Sequence, residues 1–158
     1  MKYRRLTLEE LGHLERDFVL YLASQSIPAE DWEGMKTENP SRVEELIVQF
    51  SDIVLDKVVG KIQYLQHRMP QAIRVFHCQE EKIVMNALET EDISVDFTQE
   101  GALAALAAGK TLLGKVKIYQ MEKPYTQPRN EEVWSMMQNS GCTPAEEAMF
   151  SALGAMQG

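Results

Sequence analysis

Apolar residues recur at three- and four-residue steps through the first third of the chain. Leu8, Leu11, Leu14, Phe18 and Leu22 fall on one helical face. The run opens with Thr7-Leu8-Glu9-Glu10, where the threonine hydroxyl accepts from an exposed backbone N–H and the glutamate reaches back, the Ser/Thr-x-x-Glu capping box. This predicts one helix over residues 7–24. Pro28, lacking the N–H that a first turn leaves unpaired, suits the start of a short second helix carrying Trp32 and Met35. Asn39-Pro40 repeats the signal, and Val43, Leu46, Ile47, Phe50, Ile53, Val54, Val58, Ile62 and Leu65 follow at helical spacing. They predict a long helix over 40–66, about 40 Å at 1.5 Å per residue. Gly60 costs such a helix about 1 kcal/mol relative to alanine, which packing must offset, and Pro70 ends any continuation.

The pattern then changes. Residues 73–78 and 82–88 are β-branched-rich runs on either side of Gln79-Glu80-Glu81, which predicts a hairpin. A short strand is expected at 93–95, an alanine-rich helix capped by Thr98 and running to about 108, and a strand over 115–121. A two-proline connector over 123–129 leads to two closing helices, about 130–139 and 144–156. The second is expected to open with the capping box Thr143-Pro144-Ala145-Glu146. The fold class expected is α+β in a single domain over 1–158. It comprises a helical part over 1–68 with one long helix, a small mostly antiparallel sheet within 71–122, and a C-terminal helical pair within 130–156.

Met1-Lys2-Tyr3-Arg4-Arg5-Leu6-Thr7, Phe50-Ser51-Asp52, Tyr64-Leu65-Gln66-His67-Arg68 and Pro124-Tyr125-Thr126-Gln127-Pro128-Arg129 occur in this order across most of the length. In this the chain resembles an uncharacterised family of small bacterial proteins known only as a domain of unknown function. The resemblance implies bacterial origin and a stand-alone chain. It brings no activity, ligand or catalytic residue.

With 44% apolar and 25% charged residues the composition is that of an ordinary globular domain. The N-terminus runs into acids where a signal peptide needs an apolar run, and no stretch approaches membrane-spanning length, so a cytoplasmic protein without membrane association is expected. A net charge of −8 argues against general nucleic-acid affinity, which requires a positive surface. The charge is nevertheless segregated. Residues 6–56 carry twelve acids and three bases, 57–77 four bases and no acid, 78–100 seven acids and one base, and 110–129 five bases and one acid. If the two basic segments pack together, Lys57, Lys61, Arg68, Arg74, Lys115 and Lys117 share a positive face suited to an anionic partner. Dispersed and neutralised by neighbouring acids, they would mean little for function.

Gly109-Lys110-Thr111 spells the end of a phosphate-binding loop, but Ala104 stands where that loop needs glycine, and a helix precedes the motif where a strand should. Gly109 reads as a helix terminator. Cys78 and Cys142, 64 residues apart, form neither a metal knuckle nor a disulfide framework. His77 and Cys78 are adjacent in a strand and so point to opposite faces. His13 and His67 lack partners at metal-ligand spacing, and no cofactor is expected.

Asp52 and Asp56 share a face of the long helix with Glu45 and Gln49. They could hold a divalent cation or perform acid–base work, or form the solvated stripe that a helix of a soluble protein needs. Trp134, Met137 and Met149 lie on apolar faces of the closing helices, either packed on the core or lining a partner groove, since methionine suits surfaces that repack. The function expected is a non-enzymatic, cytoplasmic protein-interaction or regulatory module, with homo-oligomerisation open. The alternative is a small metal-dependent enzyme or hydrolase using the carboxylates of the long helix.

Overall fold

The computed structural model describes residues 1–107 and 116–157. The fold is α+β, with seven helices and a five-stranded antiparallel sheet among the described residues. The chain divides into two compact units, Met1–Val59 and Gly60–Gly158.

The first unit is helical. The capping box at Thr7 forms as expected, its hydroxyl accepting from the Glu10 N–H while the Glu10 carboxylate accepts from the Thr7 N–H. Bonding from Arg4 is the larger influence on that carboxylate, and together with the cap it holds the Glu10 carboxyl down at about 2. The helix expected over 7–24 is broken in two, α1 (Leu8–His13) and α2 (Glu15–Ser24), with Leu14 out of helical conformation between them. Gly12, a poor helix former, lies in the last turn before the break. Phe18 and Leu22 of α2 are buried, whereas Leu8 is 78% exposed. Pro28 caps the short helix α3 (Ala29–Glu38) from just outside it rather than occupying its first position.

The long helix α4 (Pro40–Gly60) buries Leu46, Ile47, Phe50, Ser51, Leu55 and Val59 along one side. Phe50 meets the Phe18 and Tyr21 rings at centroid distances of 5.0 and 5.4 Å, and Trp32 meets Phe18 edge-on at 5.0 Å, arrangements that aromatic pairs favour. A polar contact lies within this apolar side. The Ser51 hydroxyl donates to Ile47 O at 2.7 Å and accepts from the Leu6 N–H at 3.0 Å, which satisfies a backbone donor that would otherwise be buried unpaired.

The helix ends at Gly60, six residues before the expected end, and the helical part does not extend to 68. Tyr64–Met69 forms β1, paired antiparallel with β2 (Ala72–Cys78) from Tyr64↔His77 to Met69↔Ala72. Leu65 suits a helix by spacing from Ile62 and a strand by alternation. Pairing with β2 decides for the strand, because it satisfies a full row of backbone groups.

The second unit is built on that sheet, in the order β4-β3-β2-β1-β5. The expected hairpin is present as β2 and β3 (Lys82–Thr90), and the expected later strand as β4 (Val116–Pro124). Residues 93–95 are not a strand. Asp92 accepts from the Ser94 N–H and hydroxyl, and Asp96 does the same for Thr98, so local turns outcompete extended pairing. Thr98 is thereby occupied and does not cap α5, which runs Ala102–Ala107.

Alternation assigns Ile73, Val75 and Leu88 to one face, where they join Phe97 and Leu153 in a buried cluster. Two helices follow β4, α6 (Arg129–Asn139) and α7 (Glu147–Ala155). The capping box expected at Thr143 does not form. Thr143–Pro144 is the short edge strand β5, opposite Gln66 and Leu65. α7 lies against β2 and β3. There the buried Asn86 donates to Phe150 O at 3.1 Å and accepts from Gln120 Nε2 at 2.8 Å. Gly154 is the close approach, since a Cβ there would lie 3.2 Å from Asn86 Nδ2.

Replacing Ser51 with alanine leaves the Leu6 N–H buried without its acceptor. A loss of about 1–3 kcal/mol in unfolding free energy is expected, read from urea denaturation, with the slope unchanged.

Candidate functional site

The carboxylates of α4 face an open groove of about 430 Å³ lined by Lys2, Tyr21, Gln25, Gln49, Asp52, Ile53 and Asp56. They are neither a bare solvated stripe nor an unoccupied pair. Asp52 accepts from the Lys2 N–H at 3.0 Å and the Tyr3 N–H at 3.2 Å, with the terminal ammonium 4.0 Å away. Asp56 accepts from the Tyr3 hydroxyl. Residues one helical turn apart thus hold one extended segment, and Tyr3, buried beside them, is pinned at both its backbone and its ring. Among the described residues, no histidine and no third acid lines the groove. More widely, no three of His, Cys, Asp and Glu converge to suit a metal ion among the described residues.

The basic residues do not all gather. Lys57 is exposed on α4, in the first unit, and Lys61 is exposed just beyond the helix in the second. Arg68 lies opposite Ile73, on the sheet face of the buried cluster, where its guanidinium donates to Gln66 Oε1 and Phe97 O. Arg74 and Lys117 are on the other face. There Arg74 approaches Glu89 at 3.7 Å, the Tyr119 hydroxyl donates to Glu89 at 2.6 Å, and the Lys117 ammonium sits 4.9 Å above the Tyr119 ring. The Tyr119 bond, more than the two cations, holds the Glu89 carboxyl below its usual range. Arg74 and Lys117 thus surround a carboxylate of their own chain. Lys115 and Gly109-Lys110-Thr111 lie outside the described residues.

On the closing helices, Trp134 is half-buried on α6, and Met149 is half-buried on α7 against the cluster of Ile73, Val75, Leu88, Phe97 and Leu153. Met149 therefore serves the core of its own unit. His77 and Cys78 separate as alternation requires. His77 stacks on Tyr64 at 4.5 Å, with Phe150 edge-on at 5.5 Å, while Cys78 is buried on the opposite face.

A polar cluster that the motif reading passed over sits in the connector between β4 and α6. The Tyr125 hydroxyl donates to Gln79 O, and the buried Glu132 accepts from the Thr126 N–H and hydroxyl. The Arg129 guanidinium donates to Cys78 O and Ile62 O. Burial pushes the Tyr125 hydroxyl up to about 12 and the Cys78 thiol up to about 11, and it also raises the Cys142 thiol. Tyr125 and Arg129 thereby satisfy the carbonyls of Cys78 and Gln79 at the close of β2 and of Ile62 ahead of β1. The signal was present in Tyr-Thr-Gln-Pro-Arg, a connector rich in long polar side chains, but the carbonyls that Tyr125 and Arg129 reach are more than 45 residues away in sequence.

Over residues 1–157 the chain matches the model of a family of unknown function, DUF6495. It belongs to that family. No curated protein and no solved structure matches it. No helix among the described residues is long and apolar enough to cross a membrane.

Two measurements bear on this geometry. Replacing Asp52 with alanine frees the N-terminal segment, so the Lys2 and Tyr3 amides should exchange with deuterium at least about tenfold faster. Because Cys78 and Cys142 are buried with raised thiols, a thiol-reactive chromophore at neutral pH should label the native chain far more slowly than the urea-unfolded chain. Rapid labelling in native buffer would contradict the burial of these two cysteines.

Proposed function

We propose that this DUF6495 member is a non-enzymatic protein-interaction or regulatory module working in the bacterial cytoplasm, with the α1–α2 part of its helical unit as the contact surface. The observation that carries this reading is the exposure of large apolar side chains on successive helices. Leu8 is 78% and Leu20 63% exposed, with Val19 beside Leu20, while Leu6, Phe18 and Leu22 of the same segment are buried. Val19 and Leu20 are neighbouring aliphatic side chains left outside the buried face of α2, and exposed apolar surface marks contact sites where it is contiguous. Glu9, Glu15 and Asp17 stand exposed on the same two helices and outnumber the exposed Arg16, so the partner that fits is a protein surface with apolar anchors and a basic rim.

Asp52 and Asp56 support the enzymatic alternative less well. Both already accept hydrogen bonds from the N-terminal segment, and a catalytic pair would need a further group at the groove to separate their acidities.

The test compares wild type with Leu20→Glu in affinity capture from the native cell and in thermal melting. The expected result is an unchanged melting curve with loss of a specific partner, whose capture by wild type weakens as salt screens the acidic rim. Identical capture by both proteins would overturn this assignment of the surface. Hydrolysis of model esters abolished by Asp52→Asn would favour the enzyme.

A further inference from the structure

We infer that β4 is a self-association edge, along which two copies of the chain join antiparallel about a two-fold axis at Met121. This goes beyond the proposed helical contact surface and does not depend on it.

In an extended strand, consecutive residues turn their N–H and C=O groups to opposite sides. The Gln79 N–H bonds to Lys82 O, and the Thr90 N–H bonds to Gln71 O, so even-numbered residues of β3 address β2 at both ends of the strand. The β3–β4 register is unbroken from Lys82↔Pro124 to Thr90↔Val116. Ile83, Met85, Ala87 and Glu89 therefore address Lys123, Met121, Tyr119 and Lys117. That leaves the N–H and C=O groups of Val116, Ile118, Gln120 and Glu122 pointing away from the sheet. β4 ends the strand order, and no backbone–backbone hydrogen bond to these outward groups occurs among the described residues. Pro124 fits the same reading, since its missing N–H falls on the outer side, where proline is tolerated. Residues 120–124 are exposed, and Met121 is 58% exposed.

An open edge of nine residues is a template for another strand, and its side chains select which one. In an antiparallel pairing of identical strands within one continuous sheet, opposed residues share a face, so the two-fold passes through a residue. Centring on Gln120 sets Lys117 opposite Lys123 of the second copy, and centring on Glu122 opposes two carboxylates. Both are penalised, because like charges directly opposite destabilise. Centring on Tyr119 sets Lys117 against Met121 and Glu122 against Val116. Centring on Met121 brings Met121 against its own copy, Tyr119 against Lys123 and Gln120 against Glu122, which are apolar, cation–aromatic and hydrogen-bonding pairs. In that register the outward N–H groups of Ile118, Gln120 and Glu122 meet the C=O groups of Pro124, Glu122 and Gln120 of the second copy, and the donor missing at Pro124 falls at the end of the ladder. Lysine and proline also guard an edge against indiscriminate pairing. Here the lysines disfavour the register centred on Gln120, and Glu122 disfavours the one centred on itself.

The test uses the full chain and measures mass by light scattering and sedimentation from low-micromolar to near-millimolar concentration. Wild type is expected to dimerise reversibly. Met121→Lys sets two ammonium groups across the axis and should raise the dimer dissociation constant at least about tenfold, with the melting curve of the monomer kept, because Met121 is exposed. Met121→Cys gives a second readout. The two residues face each other as a non-hydrogen-bonded pair with Cα atoms about 4.5 Å apart, within disulfide range, so mild oxidation should link two chains through residue 121. A Gln120→Cys control, opposite Glu122, should not link. A wild type that stays monomeric throughout overturns the proposal. So does a dimer that survives Met121→Lys and fails to cross-link through Met121→Cys, since it would form elsewhere.

Discussion

Backbone pairing of Ile73 with Leu88 and of Val75 with Asn86 is the constraint on which the second unit depends. A strand has only two faces, so once these pairs are set, every other residue of β2 and β3 is assigned to one side. Ile73, Val75 and Leu88 pack with Phe97 and Leu153 on one side, while Cys78, Ile83 and Ala87 are buried on the other. A slip of one residue would exchange the two sets. The same assignment sends Arg68 and Arg74 to opposite faces, separates His77 from Cys78, and determines which backbone groups of β4 are left pointing outward.

Polar side chains in this protein act mainly on backbone. Ser51 bridges Ile47 and Leu6, Asp52 takes the amides of Lys2 and Tyr3, Asn86 bonds to a carbonyl of α7, and Arg129 closes the carbonyls of Cys78 and Ile62. Buried polar groups are costly unless partnered, and partnering them with backbone from distant segments makes each a specific tie. Asp52 and Asp56, which look like chemistry in one dimension, are in three dimensions ties between segments, and so is Arg129, which no motif singles out. Exposed apolar side chains on α1 and α2 and the outer edge of β4 serve no such purpose within their units, which is why they support readings based on association rather than catalysis.

Much of the element content was legible in the sequence because its causes are local. The capping box at Thr7, the body of the long helix, the β2–β3 hairpin, β4 and the first closing helix each follow from side-chain period and cap chemistry within a few residues. At Asp92 and Asp96 two local signals compete and the side-chain turn wins over the strand, and α1 breaks at Leu14 within two residues of Gly12. At Thr143-Pro144 the capping pattern was genuine as a pattern, yet strand pairing with Gln66 and Leu65 used the same residues.

By itself the sequence determined the α+β class, the amphipathic faces and the uneven distribution of charge, because periodicity and composition act at short range. Tertiary structure alone decided that Tyr64–Met69 is a strand and not the end of a helix, since its pairing partners lie in β2. It alone decided that Asp52 and Asp56 anchor the N-terminal segment and that Arg74 and Lys117 enclose Glu89. Each of these depends on a partner distant in the chain, and a hydrogen bond or charge pair is set by distance in space, which spacing along the sequence does not encode.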